Sequence, residues 1–160
     1  MIGLCMEYLK EKLVQAGIKG MIRTTEKEVN LCRDSHIGAV LFEKEKFERA
    51  DSKKVYYEGI AKKKRTKTFD RQAYYSVTIG EYSISKCEEI FLKFMESLDR
   101  GLLDLRGNYI YIEVEGAAWV DEKDSILRSK MAVQILISFR GGIYRDVTYK
   151  KLQDVSVEEE

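Results

Sequence analysis

Proline is absent from this 160-residue chain, and histidine and tryptophan occur once each. With no proline, breaks and hinges fall to glycine, aspartate and serine. The three cysteines, Cys5, Cys32 and Cys87, are odd in number and far apart. Buried, reduced thiols are expected, because a metal site wants close Cys/His pairs. No apolar run approaches the ~20 residues of a membrane span, and the N-terminus lacks a signal-peptide pattern. An intracellular protein with no membrane partner is therefore expected. A net charge of +1 excludes a surface built wholly for nucleic acid, while leaving room for local patches. A phosphate-binding glycine loop is also missing. Gly141-Gly142 follows a strand, but no helix opening with Lys-Ser/Thr comes after it.

What is present suits a soluble globular protein: 44% hydrophobic and 34% charged residues, in a chain long enough to bury about 70% of its unfolded surface. The reading is a single domain over 1–146, with an acidic tail over 147–160 that ends in Glu158-Glu159-Glu160 and is loosely held. Fold is most legible in Ile84 to Phe139. Ser85-Lys86-Cys87-Glu88 has the form of a capping box. Behind it Cys87, Ile90, Phe91, Phe94, Met95, Leu98 and Leu102 recur at helical spacing. This predicts a long helix over Ser85–Leu105, continuing or restarting past Gly101. From Tyr109 the period changes to two: Ile110, Ile112 and Val114 alternate against Tyr109, Tyr111, Glu113 and Glu115. Met131, Val133, Ile135, Ile137 and Phe139 repeat that pattern. A long hairpin follows, with a charged connection over 121–128 and an end at Gly141-Gly142.

Earlier in the chain, Leu4–Ala16 carries the stripe Cys5, Leu9, Leu13 and Ala16, and Gly17 supplies the stop. Ile18–Cys32 reads as two short strands or irregular extended chain. Ile37–Phe47 is a strand whose first half is covered on both sides. Asp51-Ser52 signals a turn. Val55–Ala61 and Tyr74–Ile79 alternate as strands on either side of the polar stretch 62–71. The class is α+β: a mostly antiparallel sheet, an N-terminal helix and a long central helix packed on it, and extended β-hairpins.

Few residues suggest chemistry. His36 stands beside Asp34 and Ser35, but a triad is assembled from separate elements, and adjacency in sequence argues against one. Asp121, Glu122 and Asp124 lack the glycine and downstream glutamate of a calcium loop. No catalytic residue, metal site or cofactor is predicted, so the chain is read as a non-enzyme. The loudest feature is Lys62, Lys63, Lys64, Arg65, Lys67 and Arg71, six cations against the one anion Asp70. It suits an electrostatic contact with phosphates or an acidic protein face, or a solvated hairpin tip that keeps an edge soluble. Tyr56, Tyr57, Phe69, Tyr74 and Tyr75 nearby suit either base stacking or packing at sheet surfaces. Gly116 and Ala117, followed by Ala118, permit close backbone approach, a bulge or a neighbouring subunit. Trp119 next to them suits an interface anchor or a core position equally.

The order of these elements resembles a known family. An N-terminal helix, an extended hairpin region, the helix over Ser85–Leu105 and the long hairpin over Tyr109–Phe139 are similar to the tail terminator (tail completion) proteins of long-tailed bacteriophages and phage-derived contractile particles. The resemblance runs from about Leu4 to Tyr144 and rests on element order and size. It implies an α+β subunit of a hexameric ring that caps the tail tube and joins it to the neck. Its implied partners are further copies of itself, the tail tube protein, and sheath and neck or connector proteins. DNA would be a non-specific passenger through the channel. The implied location is the tail of the virion or particle, assembled in the host cytoplasm. Another head–tail joining subunit, or a small nucleic-acid-binding α+β domain using 62–71, are the alternatives.

Overall fold

A computed structural model describes residues 1–121 and 131–149. The elements are α1 (Ile2–Ala16), α2 (Glu26–Leu31), β1 (Ile37–Arg49), β2 (Lys53–Glu58), β3 (Ala61–Glu81), α3 (Ile84–Ser97), β4 (Gly101–Leu103), β5 (Tyr109–Asp121) and β6 (Met131–Thr148). The sheet is mostly antiparallel with strand order β1-β3-β6-β5-β4, and β2 pairs with β3. The fold is α+β with an N-terminal helix, as the alternation of periods predicts.

Two compact units are present. One comprises Met1–Lys46 with Gln72–Gly141, and the other Phe47–Arg71 with Gly142–Glu160. The first holds the main core. Alternate positions along β3, Ala73, Tyr75, Val77 and Ile79, are buried in the main core, and β6 contributes Val133, Ile135, Ile137 and Phe139 on the same face. α1 and α3 cover that face with Cys5, Leu9, Leu13, Cys87, Ile90 and Phe94. Tyr75 sits at its centre: its ring meets Phe42 and Phe139 edge-on at 5.6 and 5.4 Å. Its hydroxyl donates to the Ile2 carbonyl at 2.9 Å, so the polar tip of a buried aromatic is satisfied. On the opposite face, Val29 and Cys32 at α2 pack on Ile37 and Ala132.

Several local expectations are corrected. The Ser85–Glu88 capping box does not form; α3 starts after Ser83, whose hydroxyl meets that of Ser85 at 3.0 Å instead. A capping box occurs where irregular chain was expected. Thr25 Oγ1 accepts from the Glu28 amide at 3.2 Å, and the Glu28 carboxylate accepts from the Thr25 amide at 3.2 Å, which starts α2. The helix does not reach Leu105. It ends at Ser97, and Gly101–Leu103 pairs with β5 in the register Leu102↔Ile110. Gly101 allows this, since a Cβ there would strike the Ile110 carbonyl and the Tyr109 ring. The polar stretch 62–71 does not separate two strands as a hairpin tip either, because it lies within the 21-residue strand β3. The reversal comes earlier, at Gly59-Ile60, where Gly59 takes φ 60° as the first residue of a two-residue hairpin turn. Gly141-Gly142 does not end β6, which runs on to Thr148. Apart from Asp121, the connection over 121–128 lies outside the described residues, as does 150–160 of the tail.

Candidate interaction surfaces

The second unit contains all six cations singled out in the sequence. Its described residues include ten Lys or Arg against five Asp or Glu, so it is net basic. β-pairing sorts these charges onto two faces. Register places Lys53, Val55 and Tyr57 directly opposite Thr66, Lys64 and Lys62, and paired residues share a face. The other face carries Lys54, Tyr56 and Glu58 opposite Arg65, Lys63 and Ala61.

Acids pair with three cations of the second of these faces. Arg65 donates to Asp146 from Nε at 2.8 Å and from Nη2 at 2.9 Å, a two-pronged pairing. These hydrogen bonds raise the Arg65 pKa further above its ordinary value, and its guanidinium also lies 5.3 Å from the Tyr56 ring centroid. Lys63 pairs with Glu58. Lys67 pairs with Asp70 three residues on. Arg71 lies over Phe47 at 6.0 Å.

The first face is different. Among the described residues Lys53, Lys62 and Lys64 make no ion pair, and Lys62 lies 5.9 Å from the Tyr149 ring. Between them Tyr57 is 70% exposed, and Ile60 at the turn is 91% exposed. The strongest signal in the sequence, a run of like charge, therefore overstates the free charge. Strand alternation turns Lys63, Arg65, Lys67 and Arg71 to the other side and leaves Lys62 and Lys64 on one cationic, partly apolar face. Lys53 belongs to it and was not singled out, because it lies outside the run and only register brings it alongside.

Gly116, Ala117 and Trp119 do not form one patch. A register shift between Val114 and Gly116 marks a β-bulge, after which Gly116 pairs with Leu136 and Trp119 with Val133. Val133 belongs to the helix-covered face, and Trp119 on that side meets Phe91 of α3 edge-on at 5.3 Å. Trp119 remains 44% exposed, so it both packs and presents surface. Ala117, opposite Ile135, turns to that same side, whereas Gly116 faces the other way, in a groove of about 550 Å³ lined also by Glu43, Lys44, Tyr74, Ser76, Ala117, Ala118, Gln134 and Leu136. A Cβ at Gly116 would meet nothing within 4 Å, so the floor of that groove is open.

His36 has a role that its sequence neighbours do not reveal. Its Nδ1 meets the carboxylate of Glu81, which is 2% exposed, and its Nε2 accepts from the Lys19 backbone amide at 2.9 Å. An amide N–H can only donate, so the proton sits on Nδ1 and is directed at Glu81. Neither Asp34 nor Ser35 completes a triad with it; the partner lies 45 residues away. Cys87, nearby on α3, donates to the Ile79 carbonyl at 3.5 Å. Burial first, and the Glu81 charge second, push its thiol up to about 11, so it is not an activated nucleophile. Cys5, Cys32 and Cys87 are all free thiols, and Cys5 and Cys87 are buried.

No cluster of three or more His, Cys, Asp or Glu among the described residues is arranged to hold a metal ion. No helix among them is long and apolar enough to cross a membrane. No protein-family model matches the chain, and no curated protein matches it at a significant level.

Proposed function

We propose that this protein is a non-enzymatic structural subunit of a phage or phage-like tail, forming the hexameric terminator ring that caps the tail tube and joins it to the neck. The observation that carries the reading is the order of elements: an N-terminal helix, long strands of 13 and 21 residues, a central helix, then the β5–β6 hairpin, in one mostly antiparallel sheet. Polar and apolar contact surfaces, rather than a site of convergent reactive groups, support an assembling role. Tail tube protein, sheath and neck proteins are the proposed partners. DNA is a non-specific passenger in the channel.

The test combines the purified protein with the tail tube protein. A six-chain ring by mass, bound at tube ends, is the expected result, together with overlong tubes when the gene is deleted. A chain that stays monomeric with the tube protein present, and whose deletion leaves tube length unchanged, overturns the reading.

The cationic face of Lys53, Lys62 and Lys64, with Tyr57 exposed on it, favours one other reading, a nucleic-acid-binding domain. Filter binding to single-stranded DNA across a salt series separates the two. Under this second reading, Lys62→Ala with Lys64→Ala flattens a steep salt dependence, reducing the slope by roughly one for each lysine–phosphate pair removed. Under the tail reading the salt slope is shallow and the substitutions scarcely change it.

A further inference from the structure

A second surface is the electrostatic complement of the cationic hairpin face. The outward side of α1 presents Glu7, Lys10, Glu11 and Val14. With Met21 and Glu28 they line a groove of about 660 Å³ in the first unit. Its charge is acidic. Lys10 is already paired with Glu7 at 2.9 Å. Glu11 makes no ion pair among the described residues. Hydrogen bonds from the Thr24 and Thr25 amides hold Glu28 below the ordinary carboxylate range, so it is anionic at neutral pH. Its apolar part is exposed as well, because Val14 and Met21 on this side stand in solvent. The groove over Gly116 offers no such selectivity, since one acid, Glu43, and one base, Lys44, stand at it together.

We infer that the Lys53, Lys62 and Lys64 face of the β2–β3 hairpin, led by Ile60 and Tyr57, docks in the Glu7, Glu11 and Glu28 groove of a second copy of this chain. Both surfaces combine a net charge of one sign with exposed apolar side chains, and the signs are opposite. Both are open to another molecule in the isolated chain. Contact between different patches on two identical chains is head-to-tail and leaves one of each patch unused. The association therefore continues until it closes into a ring or extends as a filament. The charged rim sets the register and the rate of encounter, and the apolar tip supplies the buried contact. The inference shares with the tail reading only the need for self-association.

Charge reversal tests it without any tail component. Lys62→Glu with Lys64→Glu spoils the hairpin face, and Glu7→Lys with Glu11→Lys spoils the groove. Each variant alone is expected to self-associate about tenfold more weakly than wild type, or worse, by sedimentation velocity. Mixed together they restore both pairings, native hairpin with native groove and reversed hairpin with reversed groove, so the mixture should recover the association that each variant alone has lost. A chain with all four substitutions should recover self-association. Wild type supplies a check free of substitutions: its association must weaken as salt rises. A single variant that associates like wild type overturns the inference. So does a mixture that stays single-chain, a wild type that is monomeric at every concentration, or an association indifferent to salt. Tube-end binding and tube length test the tail reading separately, and can succeed or fail whichever way the charge reversal turns out.

Discussion

His36 is engaged at both ring nitrogens, and Glu81 behind it is a carboxylate almost sealed from water. His36→Ala would leave that carboxylate without its donor and the Lys19 amide without its acceptor. The expected cost is about 2–4 kcal/mol in urea denaturation, because a buried group that loses its partner keeps its full desolvation penalty. Glu81→Gln, whose amide oxygen still accepts from Nδ1, should cost clearly less; equal losses would place the effect elsewhere. Two other residues set the alkaline limit. Burial raises Cys87 from 9.0 to about 11; burial, against the Asp99 amide that donates to the hydroxyl and helped by the Asp99 carboxylate, raises Tyr8 from 10.0 to about 12. In that window the folded chain holds protons that the unfolded chain has released. Stability is therefore fully present below about pH 9 and falls as pH rises toward 11 and beyond. Melting temperatures across pH 8 to 11 check this, and a flat profile contradicts it. Trp119 belongs to both core and surface. Trp119→Ala forfeits the Phe91 ring contact, about 1 kcal/mol of folding stability, and in the proposed ring should impair assembly more than folding.

Elements in this chain begin and end by local chemistry that tertiary contacts then accept or overrule. α2 is only six residues long and buries none of them fully. Its existence depends on the Thr25–Glu28 box and on the small patch over Ile37 and Ala132. Thr25→Ala should lower stability by about 1 kcal/mol and speed amide exchange in 26–31 ahead of the main core. A uniform change in exchange would mean that α2 does not open separately. At β4 the opposite holds. Leu102, Leu103 and Leu105 prolong the helical pattern on paper, yet Leu105 is fully exposed and Leu102 pairs with Ile110. The turn that follows is tied by Asp104, which accepts from the Arg106 and Asn108 amides at 2.8 Å each. Competition from the β5 edge, together with the space at Gly101, decides for strand over helix.

At the scale of the molecule, charge distribution carries more meaning than net charge. A total of +1 conceals a basic second unit and an acidic groove on α1. This separation is what a head-to-tail contact between copies requires. The core was readable beforehand because its signal is periodic. Cys5, Leu9 and Leu13, then Cys87, Ile90 and Phe94, then Val133, Ile135, Ile137 and Phe139 are all buried as their spacing demands. The interaction surfaces were only partly readable, since a charge run says nothing about which acids from distant segments will meet it. Asp146, 81 residues from Arg65, is the clearest case.

Sequence by itself determined the α+β class, the N-terminal helix, the amphipathic stripe of α3 and the strands on either side of it. Burial of a face at period 3.6 or 2 leaves its mark in residue order. Tertiary structure alone decided that the basic stretch is strand rather than loop, and that its cations divide between a face where acids pair with most of them and an open one. It also decided that Glu81 is the partner of His36 and that Trp119 and Gly116 look in different directions. Each of these depends on which segment lies alongside which. Register and the bulge between Val114 and Gly116 set that, by hydrogen bonding between residues far apart in the chain.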